Sequence, residues 1–192
     1  MSFIIEKAGP SDRDAILEVM KVFNMHHVPS VEMEELDLDR YFVARCQGGI
    51  VGAAGYKILS ATEGKTTLMA VLPDYSGFGI GKALQHRRME EMYRAGVRIL
   101  RTNADRPEII VWYKKHYGYH QVGTLKKLCP FGLTEVDHWT TLETDLEAYF
   151  RDLEKNQRFR AEYIARHDPH PLAPYPPLII NVCLTGMIPT KE

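Results

Sequence analysis

The chain has almost no net charge. Its 24 Lys and Arg against 25 Asp and Glu in 192 residues leave −1 at pH 7. That balance excludes a global field able to gather nucleic acid or an anionic membrane, so neither is an expected partner, and any bound anion must be held by a local arrangement. Cysteine is scarce as well. Cys46, Cys129 and Cys183 are odd in number and far apart, which argues against a disulfide framework and for reduced thiols in the cytoplasm. None has a His or Asp pattern around it that points to a nucleophile. No apolar run approaches the roughly 20 residues that cross a bilayer. Met1 to Lys7 lacks the basic and long apolar regions of a secretory signal. The adjacent His26 and His27 have no third ligand at a telling spacing, so no metal is expected. What is present, 45% hydrophobic and 26% charged residues, suits an ordinary globular domain with a sizeable core.

Patterning predicts an α+β fold of strands, in part an antiparallel meander, and helices, followed by a C-terminal helix and a Pro-rich linker. Phe3 to Lys7 reads as a strand. Pro10-Ser11 opens a helix, with Ser11 and Asp14 as a capping box and Ile16, Val19, Met20 and Phe23 on one face. That helix should end at His26 to Pro29, and acidic Glu32 to Leu38 reads as a second, short helix. Tyr41 to Cys46, Ile50 to Leu59 and Thr66 to Leu72 form a meander joined by turns at Gln47-Gly48-Gly49 and Ala61 to Lys65. A helix runs from about Gly79 to Ala95, its apolar side of Ile80, Ala83, Leu84, Met92 and Ala95 interrupted by Arg87 and Arg88. Val97 to Thr102 is a strand, Pro107 to His116 a helix stopped by Gly118, and Tyr119 to Leu125 and Val136 to Leu142 the last strands. Thr144 with Glu147 repeats the capping-box pattern and starts a charged helix to about His167. Asp168 to Pro177 holds the prolines of an extended linker, and Leu178 to Leu184 is an apolar, strand-like run. The domain limits are therefore 1–143, 144–167, 168–177 and 178–192.

Ser76-Gly77-Phe78-Gly79-Ile80-Gly81-Lys82-Ala83 links a strand to a helix. Glycines there let main-chain N–H groups converge at the positive end of a helix dipole, an arrangement suited to phosphates. A Walker A loop needs Gly at position 76 and Ser or Thr after the lysine, and this chain has Ser76 and Ala83. A dinucleotide fingerprint spaces its glycines G-x-G-x-x-G after a βαβ start; here the spacing is G-x-G-x-G after a meander.

The run Met69 to Leu84 resembles the coenzyme-A motif of the GCN5-related N-acetyltransferase (GNAT) family, and the order of elements from about Ile4 to Leu142 is similar to that fold, which implies a mixed, mainly antiparallel twisted sheet flanked by helices. The resemblance implies acetyl-CoA as cosubstrate. It places main-chain pyrophosphate contacts at Gly77, Phe78, Gly79, Ile80, Gly81 and Lys82, and backbone pairing of the pantetheine arm with Met69, Ala70 and Val71. Ser76 departs from the Arg or Gln usual there, which puts the grip mainly on the main chain. Trp112-Tyr113-Lys114-Lys115-His116-Tyr117-Gly118-Tyr119 resembles the family's second motif, whose tyrosine is the usual general acid. The spacing from Tyr113 to Gly118 is one residue longer than the common pattern, so Tyr113 is the first choice and Tyr117 the substitute. Asn103 is a further candidate contact to pantetheine, or a loop cap.

The implied activity is acetyl transfer from acetyl-CoA to the amine of a small molecule or amino acid. The alternative is a non-catalytic acyl-CoA-binding sensor within a larger protein. Some members carry a base Glu on the strand matching Thr66 to Val71; this chain has none there, and Glu32, Glu34, Glu35, His26, His27 and His138 are all conceivable. Lys82, Arg87, Arg88 and Lys114 are candidates for coenzyme phosphates or for a solvated charged face. Pro177 to Glu192 resembles the opening strand and loop of the β-keto acid cleavage enzymes, a barrel family that also uses acyl-CoA. A fused barrel domain and a homodimer are therefore the remaining candidate partners beside the amine.

Overall fold

The computed structural model describes residues 2–25, 36–128, 130 and 132–155. The candidate bases His26, His27, Glu32, Glu34 and Glu35, the thiols Cys129 and Cys183, the linker and the barrel-like tail lie outside the described residues.

Among the described residues seven strands form one sheet: β1 (Ile4–Lys7), β2 (Tyr41–Cys46), β3 (Gly49–Ile58), β4 (Glu63–Val71), β5 (Ile99–Ala104), β6 (His120–Lys126) and β7 (His138–Asp145). Their order is β1-β2-β3-β4-β5-β7-β6. Every neighbouring pair is antiparallel except β4 and β5, which run parallel. Helix α1 (Arg13–Lys21) covers one face, and α2 (Ile80–Arg94) with α3 (Pro107–Tyr117) covers the other. Successive strand residues point to opposite faces. In β2, Tyr41 and Val43 therefore join Ile16, Val19 and Met20 of α1, while Phe42 and Ala44 join Leu84, Met89 and Met92 of α2. Burial on both sides explains why Tyr41 to Cys46 reads as nearly continuous apolar sequence. No helix among the described residues is long and apolar enough to cross a membrane.

Several boundaries differ from the sequence reading. Pro10–Asp12 is a tight 3-10 turn ahead of α1. Asp12, not Ser11, closes it, its Oδ2 accepting the Gly9 amide at 2.9 Å. Arg45 holds the other carboxylate oxygen at 2.6 Å, and these two contacts, the Gly9 amide first, hold the Asp12 carboxyl below its ordinary range. β4 starts at Glu63 rather than Thr66 because the turn before it is tighter: the Thr62 and Glu63 amides donate to Ser60 Oγ at 3.3 and 3.1 Å. Gly64 reads as a turn residue but lies in the strand, where a Cβ would come within 3.1 Å of both the Met92 and Val97 side chains. β7 continues through Asp145, and residues 146–155 are helical. Asp145 caps that helix by accepting the Ala148 amide at 3.0 Å. Thr144 instead donates its hydroxyl to the Tyr117 carbonyl at 2.9 Å. The segment Leu38–Arg40 is a 3-10 turn; the earlier part of the expected acidic helix is outside the described residues.

Candidate active site

The parallel seam between β4 and β5 is short. Only Glu63 to Lys65 pair with Ile99 to Arg101, and a hydrogen bond from Thr66 Oγ1 to Thr102 Oγ1 at 2.5 Å lies just past the last pair. Beyond it, among the described residues, β4 keeps only β3 as a partner, through Met69 with Ala54, Ala70 with Ala53 and Val71 with Gly52. Among the same residues β5 keeps only β7, through Asn103 with Thr141 and Ala104 with Thr140. Two strand edges thus diverge, and their main-chain groups can pair with an extended, amide-bearing ligand, as unpaired edges generally do.

The opening is reinforced by an irregularity in β4. Tyr56 pairs with Thr66 and Ala54 with Met69, so Thr67 and Leu68 together oppose Gly55, a β-bulge. Glycine is required at 55, since a Cβ there would collide with Thr67 Oγ1 and the Tyr41 ring. Met69 and Val71 are half-buried and Ala70 is buried along the open stretch.

At the end of β4, the 3-10 turn Pro73–Tyr75 leads to Gly77 at φ 83° and Gly79 at φ 84°. Both values lie in the left-handed region that glycine enters without penalty. Gly79 caps α2, and the first helical bond is Ala83 N–H to Gly79 O at 3.0 Å. The amides of Ile80, Gly81 and Lys82 precede that bond and have no helical acceptor. Among the described residues, nothing lies within 4 Å of where a Cβ on Gly77 would stand, and a Cβ on Gly81 would meet only Val71 Cγ2 at 4.0 Å. The result is an open, main-chain cradle at a helix N-terminus, directly beside the exposed end of β4. Phe78 and Lys82 flank it as exposed side chains. A diphosphate fits such a cradle, and glycine at 81 keeps its floor clear.

Helix α3 stands over the same side. Pro107 occupies its first turn and Gly118, at φ 67°, ends it. Tyr113 and Tyr117 are both buried, but their hydroxyls go to different places. The Tyr117 hydroxyl reaches the Lys82 carbonyl at 3.4 Å, in the first turn of α2. The Tyr113 oxygen accepts from Arg88 Nη2 at 3.0 Å. Asn103 Oδ1 accepts from Thr141 Oγ1 at 3.1 Å across the β5–β7 pair, so this side chain is engaged within the sheet. His116 sits near Lys82 and Lys115; partial burial first, then these two cations, push its pKa down. Tyr119, packed edge-on to Tyr113 with ring centroids 5.0 Å apart, has its pKa pushed up by burial.

Two expectations change. Arg88 is neither on a solvated face nor at the coenzyme loop: its exposure is 0%. Arg87 also turns away from the loop, pairing with Glu90 at 3.1 Å and lying over the Phe42 ring. Both follow from the helical period, which puts Arg88 one turn from Leu84 and Met92 on the buried stripe; that spacing is the signal that could have located it. The missing strand carboxylate is answered only in part. β4 does begin with Glu63, but this residue sits at the paired end and is held by Arg101 at 3.3 Å. The bulge carries Thr67 instead, beside Tyr41, whose phenol pKa is raised mainly by burial. His138 is exposed and pairs with Asp137 at 3.1 Å. Tyr41 and Thr67 had no local sequence signal, because the sheet brings them together from positions distant in the chain. No group of three or more His, Cys, Asp or Glu among the described residues is placed to hold a metal ion.

Residues 37–121 match a family model described as an acetyltransferase (GNAT) domain. No curated protein matches the sequence. Among solved structures, the chain is similar to the ribosomal-protein-S18-alanine N-acetyltransferase from Escherichia coli, at 20% identity and TM-score 0.60, covering 75% of this chain and 94% of that one. It is similar to yncA, described as a putative acetyltransferase from Salmonella typhimurium with its cofactor acetyl-CoA, at 16% identity and TM-score 0.58, covering 76% and 95%. It is also similar to the N-acetylglutamate synthase from Neisseria gonorrhoeae complexed with coenzyme A and N-acetyl-glutamate, at 17% identity and TM-score 0.61, covering 76% of this chain and 35% of that one. At these identities the likeness establishes the fold: this chain has the GNAT architecture.

Proposed function

We propose that this chain transfers the acetyl group of acetyl-CoA to the amine of a small molecule or amino acid. The observation that carries the reading is the divergence of β4 and β5 past Lys65 and Arg101, with the glycine-capped start of α2 at its end. In this reading the Gly77 to Lys82 main chain takes the pyrophosphate and the open edge of Met69, Ala70 and Val71 takes the pantetheine amides. Asn103 lines the opposite edge, and Tyr113 protonates the leaving thiolate, with Tyr117 as the substitute. Support comes from the matched acetyltransferase domain model and from structures of the same fold described with acetyl-CoA or coenzyme A.

The reaction asks for a neutral amine, a polarised thioester carbonyl and a proton for the sulfur. Thr67 and the Tyr41 phenol stand together at the β4 bulge, and in this reading the amine proton leaves through water past their hydroxyls. An amino acid acceptor is favoured within this reading because one structure of this fold is described with N-acetyl-glutamate. On the same reading, segment 177–192 is where an acyl-CoA-using barrel would join, and a longer reading frame carrying barrel repeats is the observation to look for.

The test is acetyl-CoA offered with a panel of amines and amino acids while free thiol is followed. Amine-dependent thiol release supports the reading. Coenzyme binding without release by any amine makes the chain an acyl-CoA sensor instead, and absence of coenzyme binding removes both.

A further inference from the structure

Arg88 is a cation with 0% exposure, a costly place for a charge unless it is well partnered. A guanidinium has five N–H donors, and here every one has an acceptor. Nε donates to Gln85 Oε1 at 2.7 Å, and Nη2 donates to the same oxygen and to the Tyr113 hydroxyl at 3.0 Å. Nη1 donates to the Gly55 and Leu68 carbonyls at 2.9 and 3.2 Å. None of these acceptors is a carboxylate. The hydrogen bonds are complete and no carboxylate among the described residues pairs with the guanidinium, so its field falls on the groups it touches. Only one of them can change ionisation state: the Tyr113 phenol.

The geometry also fixes direction. A guanidinium can only donate, so the Tyr113 oxygen is the acceptor and its own hydrogen is left to donate elsewhere. The two carbonyls belong to the β3–β4 bulge that borders the open edge of β4. One side chain thereby ties α2, the bulge and α3 together. We propose that Arg88 is a positioning residue for Tyr113: it holds the phenol oxygen so that the phenolic proton is presented to the open edge of β4, and Gln85 holds Arg88 in turn. The proposal rests on the acetyl-transfer reading above. In that reaction the amine nitrogen bonds to the acetyl carbon, the C–S bond breaks with its electron pair on sulfur, and the sulfur takes the Tyr113 proton. The phenolate left behind lies against the Arg88 guanidinium until the proton lost from nitrogen returns to it through solvent.

Gln85→Glu tests this with little change of shape. It preserves the bonds that Arg88 makes and adds the missing carboxylate. Arg88→Lys, which keeps a charge but loses the fork, is the second variant. Tyrosine ring-carbon NMR, with Tyr113 assigned by Tyr113→Phe, reads the phenol titration in the full chain without any substrate. The expected result in Gln85→Glu is a rise of about one pH unit in the Tyr113 titration. Alongside it, kcat falls about tenfold or more while the acetyl-CoA KM stays within about threefold. In a Tyr113→Phe background, Gln85→Glu should have no further effect on kcat. A Tyr113 titration unmoved in both variants overturns the proposal. The two readings separate: if no amine is turned over, the titration alone decides whether Arg88 governs Tyr113. If Tyr113→Phe abolishes turnover but the titration is unmoved in both variants, the role of Arg88 alone is lost.

Discussion

Tyr113 and Tyr117 lie one helical turn apart on α3 and are equally buried, yet their hydroxyls are chemically unlike. Tyr113 accepts from a cation, whereas Tyr117 faces a carbonyl at 3.4 Å. The Tyr113 oxygen accepts from the guanidinium and keeps its own hydrogen to donate elsewhere, whereas the Tyr117 hydroxyl gives its hydrogen to the Lys82 carbonyl. Tyr113→Phe should therefore lower kcat by about 10²- to 10⁴-fold, the usual contribution of a general acid, and leave coenzyme affinity intact. Tyr117→Phe should change kcat by less than about threefold. Steady-state thiol release for both variants checks this, and normal turnover in Tyr113→Phe removes it from the mechanism. The main-chain cradle gives a second residue-scale prediction. Gly79 adopts φ 84°, where an L-residue costs about 1–2 kcal/mol. Gly79→Ala should then weaken coenzyme A binding by roughly five- to thirtyfold, measured by calorimetry. This cradle was legible from the sequence because its signal is local: alternating glycines between a strand and an apolar-periodic helix. The Arg88 network was not, because its partners Gly55, Leu68 and Tyr113 stand 33, 20 and 25 residues away.

Among the elements, helix 146–155 shows how a local pattern can mislead. Thr144 and Glu147 fit a capping box, but Thr144 pairs with Leu100 in the sheet, and strand pairing outweighs the cap. The helix docks on α2 through Tyr149 and Phe150, whose rings lie 6.2 and 5.8 Å from that of His86. His86 is buried. Its Nδ1 lies 3.3 Å from the Tyr149 hydroxyl, and its Nε2 has no hydrogen-bond partner among the described residues. Burial pushes its pKa down, opposed by Glu90 and aided by Arg87. The unfolded chain then binds more protons than the folded one below the ordinary histidine pKa of about 6.5, so stability falls as pH drops through that value. Above it the contribution is fully present. His116 shifts the same way, so the comparison must isolate His86. His86→Phe keeps a ring against Tyr149 and Phe150 but cannot charge. Thermal unfolding between about pH 5 and pH 8 should show a shallower loss of Tm in acid for the variant than for the unaltered chain. Parallel curves would remove His86 from the linkage.

At the scale of the whole molecule, the sheet consists of two antiparallel halves, β1 to β4 and β5 to β7, joined by a parallel seam three pairs long. The strands of each half were legible from alternation and turn residues, and the mixed, mainly antiparallel sheet was expected. Where the halves part was not, because the break depends on a bulge at Thr67 and Leu68 and on the clearance at Gly55, neither of which has a period in the sequence. A ligand whose amides pair with both open edges would tie the halves together, adding bonds that only the folded chain can make. A ligand bound at about 100 times its Kd stabilises the fold by roughly 2.7 kcal/mol. For a domain of this size that corresponds to a rise in Tm of about 5–10 °C. Coenzyme A should produce a shift of that order in the unaltered chain. Gly79→Glu, which puts a carboxylate at the pyrophosphate cradle, should abolish it. Pantetheine alone, which reaches the strand edges without the cradle, should shift Tm by a smaller amount in both proteins. Equal shifts with coenzyme A in the two proteins would place the diphosphate away from α2 and sink the assignment of the cradle, while leaving the open edges as the site for the arm.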